Sequence, residues 1–181
     1  MLRNTKNNLV YFRFPYEFVP EEISNKYDPL LKAYQTPFKS TVEYLNSLIT
    51  NITLPSISVD NIQQTHARAT RNFRGGLDIY RGISKEFTID MRLTEGYLSY
   101  FMLYDILIWW NDSVDATDRY INDFELVTLD LQGREVATIK YKEILYNSIT
   151  ELTLAYSDVN AQFNTFSIGF NSNIVDISPK L

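Results

Sequence analysis

Large apolar side chains fall on every second position through much of the last third of the chain. Phe166, Ile168 and Phe170 alternate with Ser167 and Gly169, and Leu152, Leu154 and Tyr156 alternate with Thr153 and Ala155. A strand sends successive side chains to opposite faces. The pattern therefore predicts a sheet between Asp123 and Ile177 with one apolar and one mostly polar face. Lys85 to Leu93 has the same period, with Phe87, Ile89, Met91 and Leu93 set against Glu86, Thr88, Asp90 and Arg92. Strands are predicted near Phe124–Leu131 and Arg134–Tyr141, joined as a hairpin through Gln132-Gly133. A first strand is predicted over Leu9–Phe14.

Other segments carry a helical period. Ile23, Tyr27, Leu30, Leu31 and Tyr34 suit a helix over Glu21–Gln35, which Pro29 is expected to split or kink. Val42, Leu45, Leu48 and Ile49 share one face of a second, short helix. Ile52 to Ile62 reads as extended, and Pro55 assigns it to a sheet edge. Tyr97 to Trp110 is apolar nearly all round, broken only by Ser99 and Asp105, so a helix buried on most sides is expected, with Thr94 as its cap. At roughly 24 Å it falls short of a membrane span. Residues 66–82 are irregular, and Gly75-Gly76 predicts a turn or hairpin tip there.

Composition narrows the picture. A chain of 181 residues suits one domain, 1–181. The 14% aromatic content suits β-rich packing or a large interface. With no cysteine, disulfides and thiolate chemistry are excluded. The first eight residues lack the apolar core of a signal peptide, so the sequons at Asn51 and Asn111 are read as chance. Charge is unevenly spread. Residues 1–90 carry eleven basic and nine acidic side chains, residues 91–181 six and thirteen, which gives +2 and −7 within a net −5. No clustered basic surface of the kind that grips phosphates is evident.

Candidate chemistry is sparse. His66 is the single histidine, no GxSxG elbow accompanies it, and a zinc site would need several more His or Cys ligands. Asp112, Asp115 and Asp118 lack the order of acids, central glycine and terminal glutamate of a calcium loop. Gly75-Gly76 has no GxxxxGK around it. No catalytic residue, cofactor or metal is therefore assigned. Arg68, Arg71 and Arg74 recur every three residues beside Phe73, with Arg81 beyond. Such a run can contact phosphates, but the acidic second half of the chain favours a basic arm that grips a neighbouring copy. Trp109-Trp110 reads as core with a hydrogen-bonded edge.

The order of several segments resembles the tail tube protein family of contractile-tailed bacteriophages, which shares its broad fold with secretion-system tube proteins. The segments are Leu9–Phe14, Ile52-Thr53-Leu54-Pro55, Tyr80-Arg81-Gly82, Phe87–Leu93 and Gly96-Tyr97-Leu98-Ser99-Tyr100. They continue with Gly133-Arg134-Glu135-Val136, Tyr146-Asn147-Ser148-Ile149, Leu152 to Asp158 and Phe163–Phe170. Together they span roughly three-quarters of the chain. Two departures stand out. Asn147-Ser148 occupies a turn where the family often has proline, and residues 20–50 form a helical insertion that suits a tube-terminal or hub protein.

The resemblance implies an α+β fold, mainly β: a tail-tube-like barrel or sandwich with one flanking buried helix and the 20–50 insertion. It implies a non-enzymatic virion protein, made in the host bacterial cytoplasm and assembled in the tail. Hexameric rings would stack into a conduit for DNA, with hub, baseplate, terminator or sheath proteins as further partners and no membrane. The Phe87–Leu93 and Phe166–Phe170 strands are the candidates for a barrel whose edges pair between copies. In a conduit, Glu86, Thr88, Asp90, Glu151 and Thr153 would face the lumen. Arg92, the one basic residue continuing that face, is the check on it. The rival readings are a small-ligand or carbohydrate-binding β-barrel, suggested by the aromatics, and an enzyme with an unrecognised site.

Overall fold

A computed structural model describes residues 10–54, 56, 61–66, 69–74, 85–112, 120–130, 132–152 and 164–180; for 61–66 and 69–74 the description is of the backbone. The strands are β1 (Val10–Arg13), β2 (Ile49–Ile52), β3 (Asn61–His66), β4 (Ala69–Arg74), β5 (Glu86–Arg92), β6 (Phe124–Leu129), β7 (Glu135–Ile149) and β8 (Thr165–Pro179). The helices are α1 (Glu21–Ala33), α2 (Thr41–Ser47) and α3 (Leu98–Asn111). Six strands form one antiparallel sheet in the order β1-β6-β7-β8-β5-β2, curled into a half-barrel, while β3 and β4 pair as a separate hairpin. The fold is α+β and mainly β, as expected.

Period-2 patterning does the work in β5 and β8. Phe87, Ile89 and Met91 pair in register with Phe170, Ile168 and Phe166, and all six are buried. Phe170 also pairs with Tyr146 of β7, so Phe87, Phe170 and Tyr146 form a cross-strand ladder of stacked rings, 5.3 and 4.9 Å between centroids. Phe14, Phe18 and Phe124 pack around this aromatic core. Such rings contribute both area and edge-to-face contacts. Part of the aromatic content on which a carbohydrate-binding reading rests is taken up here, while Tyr11, Tyr16, Tyr34, Tyr97, Phe101, Tyr104 and Tyr120 are exposed.

β7 and β8 run well past the strands expected at Arg134–Tyr141 and Phe163–Phe170, and they do so by changing phase. Ile139 and Tyr141 are buried in the first half of β7, Ile144 and Tyr146 in the second. The switch occurs at Glu143, whose φ is 51°. Opposite it, β8 changes from Ser172 to Val175, and Asn173 Nδ2 donates to Glu143 Oε2 at 3.1 Å. An irregularity of this kind bends a strand and raises its twist. It lets one hairpin carry two differently oriented halves of the sheet, β1-β6 on one side and β5-β2 on the other. The β6–β7 turn is the hairpin expected at Gln132-Gly133. Gly133 adopts φ 78°, and the Asp130 carboxylate accepts the Gln132 and Arg134 N–H groups at 2.7 and 2.8 Å.

Three expectations change. Pro29 does not split α1, which runs unbroken from Glu21 to Ala33. Proline withholds one N–H from the helix, a loss offset by burial of Ile23, Tyr27 and Leu31 on the same element. Second, α3 is not buried on most sides. Ser99, Met102, Leu103 and Ile106 face the core, while Phe101, Tyr104 and Ile108 are between 44% and 52% exposed. Its start is also later than Glu95, because Gly96 and Tyr97 take φ 67° and 57°. Thr94 Oγ1 nonetheless accepts the Ser99 N–H at 3.1 Å. Third, the Phe87–Leu93 and Phe166–Phe170 strands are not edges. β5 lies between β8 and β2, and β8 between β7 and β5, so both ladders are filled within the chain. The β3–β4 hairpin turns between His66 and Ala69. Gly75-Gly76, where the tip was expected, lies outside the described residues, as do Asp115, Asp118 and residues 153–163.

Candidate assembly surfaces

Edges come first, since unpaired N–H and C=O groups along a strand are a template for another strand. Among the described residues, β1 is paired on one side only, to β6, and β2 on one side only, to β5. Both are four-residue strands with apolar side chains at the rim. Val10 and Tyr11 are exposed at one end of the sheet and Leu54 at the other. The extended edge piece expected over Ile52–Ile62 is realised differently: the edge strand is Ile49–Ile52, which takes Ile49 from the expected second helix, and Pro55 and residues 57–60 lie outside the described residues. Alternate strands run in opposite directions, so the six strands leave β1 and β2 antiparallel to each other.

The polar face of the sheet brings together most of the expected lumen residues. Glu86, Thr88, Asp90 and Arg92 stand on one side of β5, opposite Asn171, Gly169, Ser167 and Thr165 of β8. Asp90 ties three strands. One carboxylate oxygen accepts the Ser167 hydroxyl at 2.6 Å, and the other accepts Asn51 Nδ2 at 3.1 Å. Thr150 Oγ1 donates to the Ser167 carbonyl at 2.6 Å and accepts its N–H at 2.9 Å, which extends this polar lattice beyond β7. Gly169 fits a tight place, because a Cβ there would meet Ser148 Oγ at 2.4 Å. Glu151 is exposed just past β7; Thr153 lies outside the described residues. Arg92 shares the face with the two acids of β5 and is exposed.

Of the basic arm, Arg71, Phe73 and Arg74 fall in β4, with Arg71 opposite Gln64 and Arg74 opposite Asn61. Arg68 and Arg81 lie outside the described residues. The hairpin is hydrogen-bonded to no strand of the large sheet among the described residues.

A third surface was not foreseen. The insertion helix α1 packs beside α3 and leaves an open groove of about 480 Å³, lined by Glu22, Ile23, Lys26, Asp105, Ile108, Trp109 and Asp112. Lys26 Nζ lies 2.5 Å from Asp105 Oδ2, and the Tyr27 hydroxyl donates to the same oxygen at 2.7 Å. Burial pushes the Asp105 carboxyl up, but these two donors outweigh it and hold the group below its ordinary value. Burial and the neighbouring carboxylate push the Tyr27 hydroxyl up. The indole edges are hydrogen-bonded as expected: Trp109 Nε1 to Glu22 at 3.2 Å and Trp110 Nε1 to the Phe18 carbonyl at 3.1 Å. A lone acid in an otherwise apolar helix was the available signal, since such a group needs partners. Among the described residues no three His, Cys, Asp or Glu side chains are grouped to hold a metal, and no helix is long and apolar enough to cross a membrane.

No family model and no curated protein matches the chain. Solved structures do. The tube-terminating cap of the anti-feeding prophage is similar at 11% identity and a TM-score of 0.48, over 73% of this chain and 80% of that one. The sheath/tube terminator of the PVC extracellular contractile injection system, in its extended state, is similar at 14% identity and a TM-score of 0.48, over 72% and 84%. Hcp1 from Flavobacterium johnsoniae is similar at 14% identity and a TM-score of 0.35, over 73% and 86%.

Proposed function

We propose that this chain is a structural subunit of a tail tube, or of a tube-like hub or terminating ring, and not an enzyme. The observation that carries the reading is the open six-stranded sheet, with one short unpaired edge at each end among the described residues. Because the strand count is even and all neighbours are antiparallel, β2 of one copy can continue into β1 of the next without breaking the alternation. A head-to-tail junction of this kind closes into a ring when the rotation between copies divides a full turn. Closure removes the free edges altogether.

In such a ring, one face of the continuous sheet is the polar face of β5 and β8, and the other is covered by the core and helices. We assign the polar face to the lumen, with Glu86, Thr88 and Asp90 along it, and propose Glu151 and Thr153 as further lumen residues. Two acids of β5 outnumber Arg92 there, so the wall offers DNA little to grip, as a conduit requires. Six copies, stacking of rings, passage of DNA and location in a virion tail follow from the sequence resemblance. The partners are other copies and the tail proteins above and below, with hub, baseplate, terminator or sheath among them.

Light scattering coupled to size exclusion tests the reading. Rings or ring stacks are expected, with Val10→Lys and Leu54→Lys each shifting the population toward monomer while the melting curve stays near that of the parent. Purified rings are expected to bind DNA weakly at low salt. A monomer at all concentrations, or tight DNA binding by rings, would overturn it.

A further inference from the structure

We propose that the groove between α1 and α3 is the docking site for the β3–β4 hairpin of a second copy of this chain. The inference deepens the ring reading, and it rests on that reading only in requiring that copies meet.

The groove has an apolar floor and an acidic rim. Ile23, Ile108 and Trp109 supply the apolar part; Glu22, Asp105 and Asp112 supply three carboxylates against the single ammonium of Lys26. Lys26 is engaged by Asp105, which leaves Glu22 and Asp112 to set the sign of the rim. Ile108 is also the last member of the exposed row Phe101, Tyr104 and Ile108 on α3, with Tyr97 just ahead of the helix. Groove and row are thus one continuous surface of aromatic and aliphatic side chains edged by acids.

The hairpin has the complementary chemistry. Arg71-Asn72-Phe73-Arg74 places two permanent cations within two residues of one large ring. Arginine beside an aromatic is the composition that anchors interfaces, and guanidinium groups pair well with carboxylates. The hairpin also needs a surface. An isolated two-stranded ribbon is marginal in water, and among the described residues this one shares no ladder with the six-stranded sheet. Opposite charge on the two surfaces selects the partner and steers its approach.

The absence of cysteine from the chain gives a clean test. Asn72→Cys in one full-length preparation and Ile108→Cys in a second, differently tagged preparation leave the two arginines, Phe73 and all three acids in place. Mixed and oxidised, they are expected to give the mixed-tag disulfide dimer well above either variant alone, a product that only contact between copies can form. Arg71→Glu with Arg74→Glu in the first preparation should cut its yield about tenfold, roughly what losing 1.4 kcal/mol of contact does. Glu22→Lys with Asp112→Lys in the second should restore it. Each variant is checked for the parent's circular dichroism and melting curve. No mixed dimer from folded variants, or a yield indifferent to charge reversal, overturns the proposal. Rings without the mixed dimer would sink this contact and leave the ring reading standing; the mixed dimer without rings would do the reverse.

Discussion

The Tyr27 hydroxyl of α1 donates to the Asp105 carboxylate in the middle of α3 at 2.7 Å. With Lys26 on the same oxygen, this is the polar lock that fixes the inserted helix to the helix covering the sheet. Asp105→Asn is expected to cost about 1.5–3 kcal/mol, the range for a hydrogen bond to a charged group. The carboxyl is held below its ordinary value in the folded protein, so its contribution is complete above the unfolded value, near pH 4. That contribution is lost as pH falls through the lower, folded value. Denaturation midpoints measured from pH 7 down to pH 2 should therefore fall less steeply in Asp105→Asn than in the parent below about pH 4. Parallel curves would remove the lock from this account.

The two faces of α3 should respond differently to truncation. Leu103 is fully buried, and Leu103→Ala should cost about 2–5 kcal/mol through lost burial and a residual cavity. Phe101 is 52% exposed, and Phe101→Ala should move monomer stability by no more than about 0.5 kcal/mol. Urea titrations of both variants, at a concentration where the parent is monomeric, check this. Equal costs would mean that the outer face is covered within one chain.

Much of this architecture is legible in the sequence. β5 and β8 announce themselves because each buried residue falls on the expected parity, and Gln132-Gly133 marks a real turn because only a glycine suits φ 78° there without penalty. The outer face of α3 was not legible. A helix apolar on all sides carries no moment to say which side meets the core, and an interface face reads like a core face. Nor were the full lengths of β7 and β8. Val136, Leu145 and Ile174 are exposed although apolar, and the phase switch at Glu143 makes two correct short patterns look like one broken one. The groove was hidden for another reason: it needs Glu22 and Asp112, ninety residues apart, to be brought together by the packing of α1 on α3.

The phase switch supplies its own prediction. Glu143 sits at φ 51°, where a side chain is strained and glycine is not. Glu143→Gly should leave stability unchanged or raise it by up to about 1 kcal/mol, the gain being offset by loss of the Asn173 contact. Glu143→Val should lower it, because a β-branched residue is poorly tolerated at positive φ. Thermal unfolding of the pair decides. A Glu143→Val variant as stable as Glu143→Gly would mean that the strand takes another path.

The central claim is that β2 of one copy continues into β1 of the next. Electron cryomicroscopy of the purified chain tests it most directly. Closed rings of six 21.2 kDa subunits are expected, with an uninterrupted antiparallel ladder running through a β2–β1 seam and Glu86, Thr88 and Asp90 on the inner wall. Rings joined through other surfaces, with β1 and β2 left open to solvent, would contradict it, and so would particles no larger than the monomer.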